Sequence, residues 1–299
     1  MAHEPIDTLV IHPGALGDVL QAVPALSSLG RLGHRMTFAG QSRLGELLQG
    51  SGVVLAATPF DTFGLEALFT DMPVRDRLAS RLSRFRRVIS WFGAREPGYA
   101  GRLGALVPEV IVAPPVPDDE SPLTVWEHLV ETLQPWGVAR PAEHHALVTT
   151  ERWRIAARTA LMALGVDESR PLLIAHPGAG SRWKQAPTAR FAQALERLNG
   201  DGGFEVVVHQ GPADAPAVDA LVTTLGIPAH RYLEPTLTEL AGALALAQAY
   251  LGSDSGVSHL AASVGTSSVI LYPPETLRRW APWAPSAVAL GVGSEGDLS

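Results

Sequence analysis

Short apolar segments alternate with helical segments along this chain, and the alternation constrains its fold more than any other feature. In the first half, the apolar segments expected to form strands are residues 8–11, 36–39, 53–55, 88–91 and 110–112. Helical patterns separate most of them, including a long one over residues 19–32 and an arginine-rich one over residues 75–85. Strands joined through helices form parallel sheets with helices on both faces. The first half is therefore predicted to be a doubly wound α/β domain.

The alternation lapses over residues 139–149, which contain the polar stretch Arg-Pro-Ala-Glu-His-His, and then starts again. The second half has predicted strands at residues 172–175, 205–208, 250–251 and 268–272. We therefore expect two domains, residues 1–149 and residues 150–299, with the linker at about residues 139–149. Parallel α/β domains bind ligands at the carboxyl ends of their strands, so a cleft between the two domains is the expected site.

Composition excludes several classes of protein. The chain has 299 residues, of which 46% are hydrophobic and 18% charged, so it can bury a large core. A net charge of −7 argues against a general nucleic-acid binder, and the absence of cysteine excludes disulfides and thiol catalysis. The polar N-terminus does not resemble a signal peptide, and no apolar run is long enough to span a bilayer. We expect a soluble, cytoplasmic protein.

A loop of small residues and cations follows the predicted strand at residues 172–175. It contains His176, Gly178, Ser181 and Lys184, and a helix with a proline in its first turn comes next. Glycines let backbone N–H groups approach an anion, and a helix N-terminus favours negative charge. Lys184 is the only lysine of the chain, which indicates a position where a compact ammonium is required. The loop is predicted to hold a phosphate; the alternative is a solvated surface lysine.

A second polar loop, with Asp254, Ser255, Gly256 and His259, follows the predicted strand at residues 250–251. Asp254 or Ser255 could simply cap the next helix, and His259 could belong to the core. The same helix start also presents backbone N–H groups to an anion. An aspartate would repel phosphate, so a functional Asp254 should face a hydroxylated part of the ligand.

Asp18 lies at the start of the first helix, after the strand at residues 8–11. A carboxylate there complements the helix dipole. It could also act as a general base that takes a proton from a substrate hydroxyl. Neither a Walker A motif nor a G-x-G-x-x-G motif occurs in the phosphate-binding loop, which argues against a P-loop nucleoside triphosphatase and a dinucleotide-dependent dehydrogenase.

Taken in order, the three loops resemble glycosyltransferase family nine, the bacterial heptosyltransferases of lipopolysaccharide core synthesis. The resemblance rests on Leu-Gly-Asp-Val-Leu at residues 16–20, His-Pro-Gly-Ala at residues 176–179 with Lys184 beyond, and Asp-Ser-Gly-Val-Ser-His-Leu-Ala-Ala at residues 254–262. A Pro-Pro-Glu-Thr stretch at residues 273–276 and Trp280 continue the third motif. The motifs extend over most of the chain.

The resemblance implies a GT-B fold of two facing Rossmann-like domains, with the donor held mainly by the second. It implies a nucleotide-diphosphate-sugar donor (ADP-heptose in the best-known members) and inversion at the anomeric carbon without an obligatory metal or cofactor. By correspondence of motifs, Asp18 would be the catalytic base and Lys184 would bind the donor phosphates. Asp254 would lie near the donor sugar, and Gly256 to His259 beside the diphosphate.

Two features bear on the acceptor. Many family members have Lys or Arg in the first loop where this chain has His12, which leaves a fixed cation on that side uncertain. The arginines Arg75, Arg77, Arg81 and Arg84 form either a solvated helix face or a surface for an anionic glycolipid acceptor and the inner membrane face.

Other functions remain open from the sequence. A non-catalytic relative could bind a nucleotide sugar or glycan without turnover, and a nucleotide-sugar epimerase could share the two-domain fold. A nicotinamide-dependent dehydrogenase is the most distant alternative. No histidine is predicted to bind a metal, since His144 and His145 lie in the linker without spaced partners.

Overall fold

The computed structural model describes residues 4–70, 76–141, 143–200 and 203–293. The chain forms two compact units, Met1–His145 and Ala146–Ser299. The division lies inside the predicted linker, four residues before the predicted boundary at residue 149.

The first unit is built on a five-stranded parallel sheet with the order β3-β2-β1-β4-β5. Its strands are β1 (Ile6–Ile11), β2 (His34–Gly40), β3 (Ala56–Pro59), β4 (Arg87–Ser90) and β5 (Glu109–Val112). Its helices are α1 (Leu16–Gln21), α2 (Val23–Arg31), α3 (Ser42–Gly50), α4 (Asp76–Leu82), α5 (Tyr99–Gly104) and α6 (Val125–Glu131). The winding of the chain reverses between β1 and β4, and such a switch point opens a crevice at the carboxyl ends of the two strands.

The second unit repeats the plan with a six-stranded parallel sheet of order β11-β10-β9-β6-β7-β8. Its strands are β6 (Leu172–His176), β7 (Glu205–Gln210), β8 (His230–Leu233), β9 (Ala249–Ser253), β10 (Ser268–Tyr272) and β11 (Ala287–Gly291). Its helices are α7 (Glu151–Ala163), α8 (Thr188–Asn199), α9 (Ala215–Thr224), α10 (Leu237–Leu246), α11 (Gly256–Val264) and α12 (Pro274–Trp280). Here the switch point lies between β6 and β9. The prediction of doubly wound α/β domains is confirmed.

The central strands are hydrophobic on both faces because helices cover both sides of each sheet. Every residue of β6 is buried, and Leu9, Val10 and Ile11 of β1 are inaccessible to solvent. The edge strands β8 and β11 are largely exposed, with only Tyr232 of β8 buried. Neither edge strand was predicted. β8 lacks the continuous apolar pattern used to find the others, whereas β11 has that pattern and was missed.

Two predicted elements of the first unit were wrong in detail. The strand expected at residues 53–55 instead belongs to the turn that ends α3, where the amides of Val53 and Val54 bond back to the Leu48 carbonyl. The neighbouring strand β3 begins at Ala56. The single long helix expected at residues 19–32 is two helices, because Pro24 lies in the first turn of α2, where its missing N–H costs no helical bond.

Among the described residues, no helix combines the length and the apolar character needed to cross a membrane.

Candidate functional site

The loops that follow β6 and β9 flank the switch point of the second unit. Since β6 and β9 are paired neighbours, their carboxyl ends bring the loop of residues 176–184 and the loop of residues 252–260 together. Ser253, which is fully buried, joins the two loops: its hydroxyl donates to the Pro177 carbonyl at 3.0 Å and accepts from the Ala186 amide at 3.1 Å. The two predicted binding loops therefore form one site.

Lys184 and Asp254 meet at the centre of this site. The Lys184 Nζ lies 3.2 Å from Asp254 Oδ2. It also lies 5.6 Å from the centre of the Trp183 ring and 5.4 Å from that of Trp280, within the range of cation–π attraction. The Lys184 side chain is 23% exposed and that of Asp254 only 4%. These contacts and the partial burial distinguish Lys184 from a freely solvated surface lysine.

Asp254 is held from a second side by Thr276, whose hydroxyl donates to Asp254 Oδ2 at 2.8 Å. Thr276 belongs to α12, which the sequence patterns did not predict, although it lies in the Pro-Pro-Glu-Thr stretch that contributed to the family resemblance. The helix cap that the sequence left open between Asp254 and Ser255 is Ser255, whose hydroxyl accepts from the Ser258 amide at 3.2 Å. The Asp254 carboxylate is therefore not used to cap α11.

His259 and Gly256 lie at the start of α11, behind the charged pair. His259 is 4% exposed, and burial lowers its pKa to about 4, with Asp254 raising and Lys184 lowering that pKa. His259 is therefore a neutral imidazole at neutral pH, as a core histidine would be, yet it is close enough to respond to both charges. Gly256 is the first residue of the helix, so its backbone lies at the positive end of the helix dipole.

The other residues predicted in the phosphate-binding loop have distinct positions. Ser181 precedes a short 3-10 turn, Arg182–Lys184, whose Lys184 amide bonds to the Ser181 carbonyl at 3.1 Å. His176 is buried at the end of β6, beside His209 of β7. Gly178 faces Asp214, and a Cβ on Gly178 would lie 2.1 Å from Asp214 Oδ1. His209 and Asp214 were not singled out from the sequence, because their contacts with this loop join segments far apart along the chain.

In the first unit, Asp18 and His12 flank the loop after β1. Asp18 is the third residue of α1, is partly buried, and accepts a bond from the Ala15 amide at 2.9 Å through its Oδ2 atom. This contact fits the predicted role as a carboxylate at a helix start and also fixes the orientation of the group. Gly14 separates the two side chains: a Cβ there would lie 2.7 Å from the His12 ring and 3.0 Å from the Asp18 Cβ.

His12 does not provide a cation. It is 1% exposed, it meets the Trp91 ring edge-on at 5.7 Å, and burial lowers its pKa to about 4. Its Nδ1 accepts from the Gly14 amide at 3.2 Å, which places the proton on Nε2. Within the part of the chain that the structure describes, this Nε2 atom has no hydrogen-bond partner. His12 is therefore neutral, and it does not replace the Lys or Arg that many family members have in the first loop.

Two members of the arginine cluster line a cavity of the first unit. Arg81 and Arg84 border a space of about 440 Å³ that extends from Asp7, at the amino end of β1, to Thr58 in β3 and Thr62 beyond it. The Arg81 guanidinium donates a hydrogen bond to the Thr62 carbonyl. Arg77 is exposed on α4, and Arg75 lies outside the described residues.

Comparison with known proteins identifies relatives of this architecture. The family model described as glycosyltransferase family 9 (heptosyltransferase) matches residues 109–298. Lipopolysaccharide heptosyltransferase 3 of Escherichia coli is 27% identical over 130 residues, which are 42% of this chain and 38% of that protein. The match thus spans well under half of the length of that relative.

Two solved structures share the fold. A family 9 glycosyl transferase from Veillonella parvula has a TM-score of 0.75 at 18% identity, over 96% of this chain and 86% of that one. The ADP-heptose lipopolysaccharide heptosyltransferase II of E. coli has a TM-score of 0.71 at 20% identity, over 95% of this chain and 90% of that one. The predicted GT-B fold class is confirmed.

Proposed function

The chain belongs to glycosyltransferase family 9, and on that premise we propose that it transfers heptose from ADP-heptose to an acceptor of the lipopolysaccharide-core type. The observation that carries the proposal is the Lys184–Asp254 pair at the switch point of the second unit. The pair supports the proposal because a nucleotide-diphosphate sugar requires both a cation for its phosphates and a hydrogen-bond acceptor for its hydroxyls. The proposed transfer inverts the anomeric carbon and requires neither a metal nor a cofactor.

Lys184 is the group proposed to bind the donor diphosphate. Its ammonium is partly accessible and is held in position by Asp254 and the two tryptophan rings, so little side-chain freedom is lost when a phosphate binds. His176, Gly178 and Ser181 shape the loop that carries it. The N-terminus of α11, with Ser255, Gly256 and His259, adds backbone N–H groups and the helix dipole. Asp254 would accept hydrogen bonds from hydroxyls of the donor sugar.

Asp18 is the proposed catalytic base of a single displacement. Its carboxylate takes the proton of the acceptor hydroxyl while that oxygen attacks the anomeric carbon and forms the new glycosidic bond. The bond from the anomeric carbon to the diphosphate oxygen breaks, and the nucleoside diphosphate leaves with the electron pair. Lys184 and the α11 amides stabilise the negative charge that develops on the leaving group, so they contribute to turnover as well as to binding.

The acceptor is proposed to be an anionic glycolipid at the inner membrane face, with the protein located in the cytoplasm and in peripheral contact with that surface. Arg77, Arg81 and Arg84, together with Arg75, are the candidate contacts. Arg81 and Arg84 line a cavity that also includes Asp7 and Thr62, and this cavity is the proposed position for an anionic group of the acceptor or a lipid headgroup.

The first test is calorimetric binding of ADP, UDP, GDP and CMP to the wild type and to Lys184→Ala. We expect ADP to bind best and the variant to bind it at least about tenfold more weakly, the effect of losing one charge-assisted hydrogen bond. Arg182→Ala is the matched control, since it removes an equal charge from an exposed side chain of the same turn. A folded protein that binds no nucleotide would contradict the proposal and indicate a non-catalytic relative.

The second test is transfer from ADP-heptose to a lipopolysaccharide-core acceptor. Asp18→Asn should keep the wild-type affinity for ADP and lose about 10²–10⁴-fold in turnover, the usual contribution of general base catalysis. Wild-type turnover by Asp18→Asn would remove Asp18 from the mechanism. Release of free nucleotide or of an isomerised sugar without any acceptor would indicate an epimerase instead.

A further inference from the structure

Three buried groups of the second unit meet beside the proposed donor site, and the transfer step proposed above uses none of them as a reacting group. His176 ends β6, His209 lies in β7, and Asp214 immediately precedes α9. His176 is 2% exposed and His209 is 4% exposed. Each of the three offers a ligand atom, and these atoms all lie within 4.8 Å of one another.

The spacing of the ligand atoms is compatible with one shared cation. The two Nδ1 atoms lie 3.0 Å apart, a distance that also fits a hydrogen bond, and two nitrogens that bind one tetrahedral zinc ion at ~2.0–2.1 Å are about 3.3 Å apart. His176 Nδ1 also lies 3.3 Å from the His209 carbonyl oxygen, and His176 Nε2 is 3.9 Å from Asp214 Oδ2, which is too long for a hydrogen bond. Since His176 can offer only one of its two nitrogens to an ion, its ring must turn when the ion binds.

The donor types are also those of a metal site. Two imidazoles and one carboxylate form the donor set that suits Zn²⁺ and related divalent ions.

Two glycines pack closely against the Asp214 carboxylate. A Cβ on Gly178 would lie 2.1 Å from Asp214 Oδ1, and one on Gly211 would lie 2.7 Å from Asp214 Oδ2. The Gly211 amide donates to Asp214 Oδ2 at 2.9 Å and so orients the carboxylate from outside the cluster. The Asp214 side chain remains 13% exposed, which leaves a path for an ion from solvent.

We propose that His176, His209 and Asp214 bind one divalent transition-metal ion, Zn²⁺ being the best match to the donor set, with water completing its coordination. The ion would join the carboxyl ends of β6 and β7 to the start of α9. It would thereby fix the loop that begins at His176 and carries Lys184. This role is structural and lies outside the proposed bond-making step. Metal binding is measured without any transfer reaction, so failure of this proposal can be distinguished from failure of the proposed function.

The experiment is metal binding to the full chain, first stripped with a chelator and then titrated with Zn²⁺ or Co²⁺. We expect about one ion per chain by elemental analysis, visible absorption bands typical of tetrahedral Co²⁺, and a higher melting temperature with Zn²⁺. His209→Ala and Asp214→Asn should each weaken binding at least about tenfold, while His145→Ala, in an exposed histidine outside the cluster, should not change it.

Two results would overturn the proposal. One is a folded wild type that gives neither Co²⁺ bands nor stabilisation by Zn²⁺, which would identify the cluster as a hydrogen-bonded structural network. The other is binding that survives in both variants, which would place the ion elsewhere. Because the Co²⁺ spectrum is recorded on the wild type, the conclusion does not depend on the variants folding.

Discussion

At the scale of single residues, the most informative feature is that the only lysine of the chain pairs with a buried aspartate. Asp254 holds Lys184 from one side, and Thr276 holds Asp254 from another. A cation whose position is set by the protein needs no rearrangement to meet a phosphate, which is the condition for effective stabilisation of a developing charge. Lys184 and Asp254 are therefore expected to contact different parts of a nucleotide sugar: Lys184 the diphosphate, and Asp254 the sugar hydroxyls.

Asp254→Asn tests that separation. We expect affinity for free ADP to stay within about threefold of wild type or to rise, because a negative charge near the phosphates is removed. Affinity for ADP-heptose should fall about tenfold, the effect of weakening a hydrogen bond between a carboxylate and a sugar hydroxyl. Calorimetry with both ligands measures the difference. Thr276→Val serves as the control that keeps the Asp254 charge, and an equal loss for both ligands in Asp254→Asn would place Asp254 away from the sugar.

At the scale of elements, the site depends on how closely the loop after β6 packs. Parallel strands bring their carboxyl ends to one edge of the sheet, and the buried Ser253 hydroxyl then joins two loops across a sequence separation of 76 residues. Within this loop the backbone near Gly178 has no room for a side chain, whereas Gly180 has no neighbouring atom within 4 Å of where a Cβ would be. The two glycines therefore have different roles, although both look alike in the sequence.

Gly178→Ala and Gly180→Ala form a matched pair of substitutions. The added Cβ at residue 178 would lie 2.1 Å from Asp214 Oδ1, so that variant should lose about 1–3 kcal/mol in the free energy of unfolding, as overpacked sites do. The residue 180 variant should stay within about 0.5 kcal/mol of wild type. Urea denaturation followed by circular dichroism measures both. Equal stability of the two variants would show that the loop can move away from Asp214 without cost.

At the scale of the whole molecule, each unit buries histidines that must stay neutral. Burial lowers the pKa of His12 in the first unit and of His259 in the second from 6.5 to about 4. At pH values between the two pKa values, the unfolded chain binds more protons than the folded chain, so the free energy of unfolding decreases as the pH falls. The contribution of each neutral histidine to the free energy of unfolding is complete above about pH 6.5 and is lost as the pH approaches 4.

We therefore expect both units to become acid-sensitive well above the range in which ordinary carboxylates titrate. Each such histidine should reduce the free energy of unfolding by about 1.4 kcal/mol for each pH unit within the window. Denaturation midpoints measured between pH 7.5 and pH 5 test this slope. His12→Gln and His259→Gln should flatten it, and a midpoint that does not change over this interval would contradict the neutral assignment.

The sequence alone was a good guide to elements that are buried on both faces. Central strands such as β6 consist of uninterrupted apolar residues, and the loops that follow β1, β6 and β9 could be recognised by their small and polar residues. It was a poor guide to β8, because an edge strand needs few apolar residues, and β11 was missed although its residues, Ala-Val-Ala-Leu-Gly, are apolar. The predicted strand at residues 53–55 failed because an apolar residue that closes a helix end looks the same in sequence as one in a strand.

The order of apolar and polar segments is sufficient to predict doubly wound α/β units and to place Lys184 and Asp254 after buried strands. The contact between these two residues, the support of Asp254 by Thr276, and the cluster of His176, His209 and Asp214 became visible only in the folded chain. The physical reason is that hydrophobic periodicity is local, so it can be read from neighbouring residues. Strand order and the packing of helices depend on contacts between distant segments, and these contacts select which loops become neighbours.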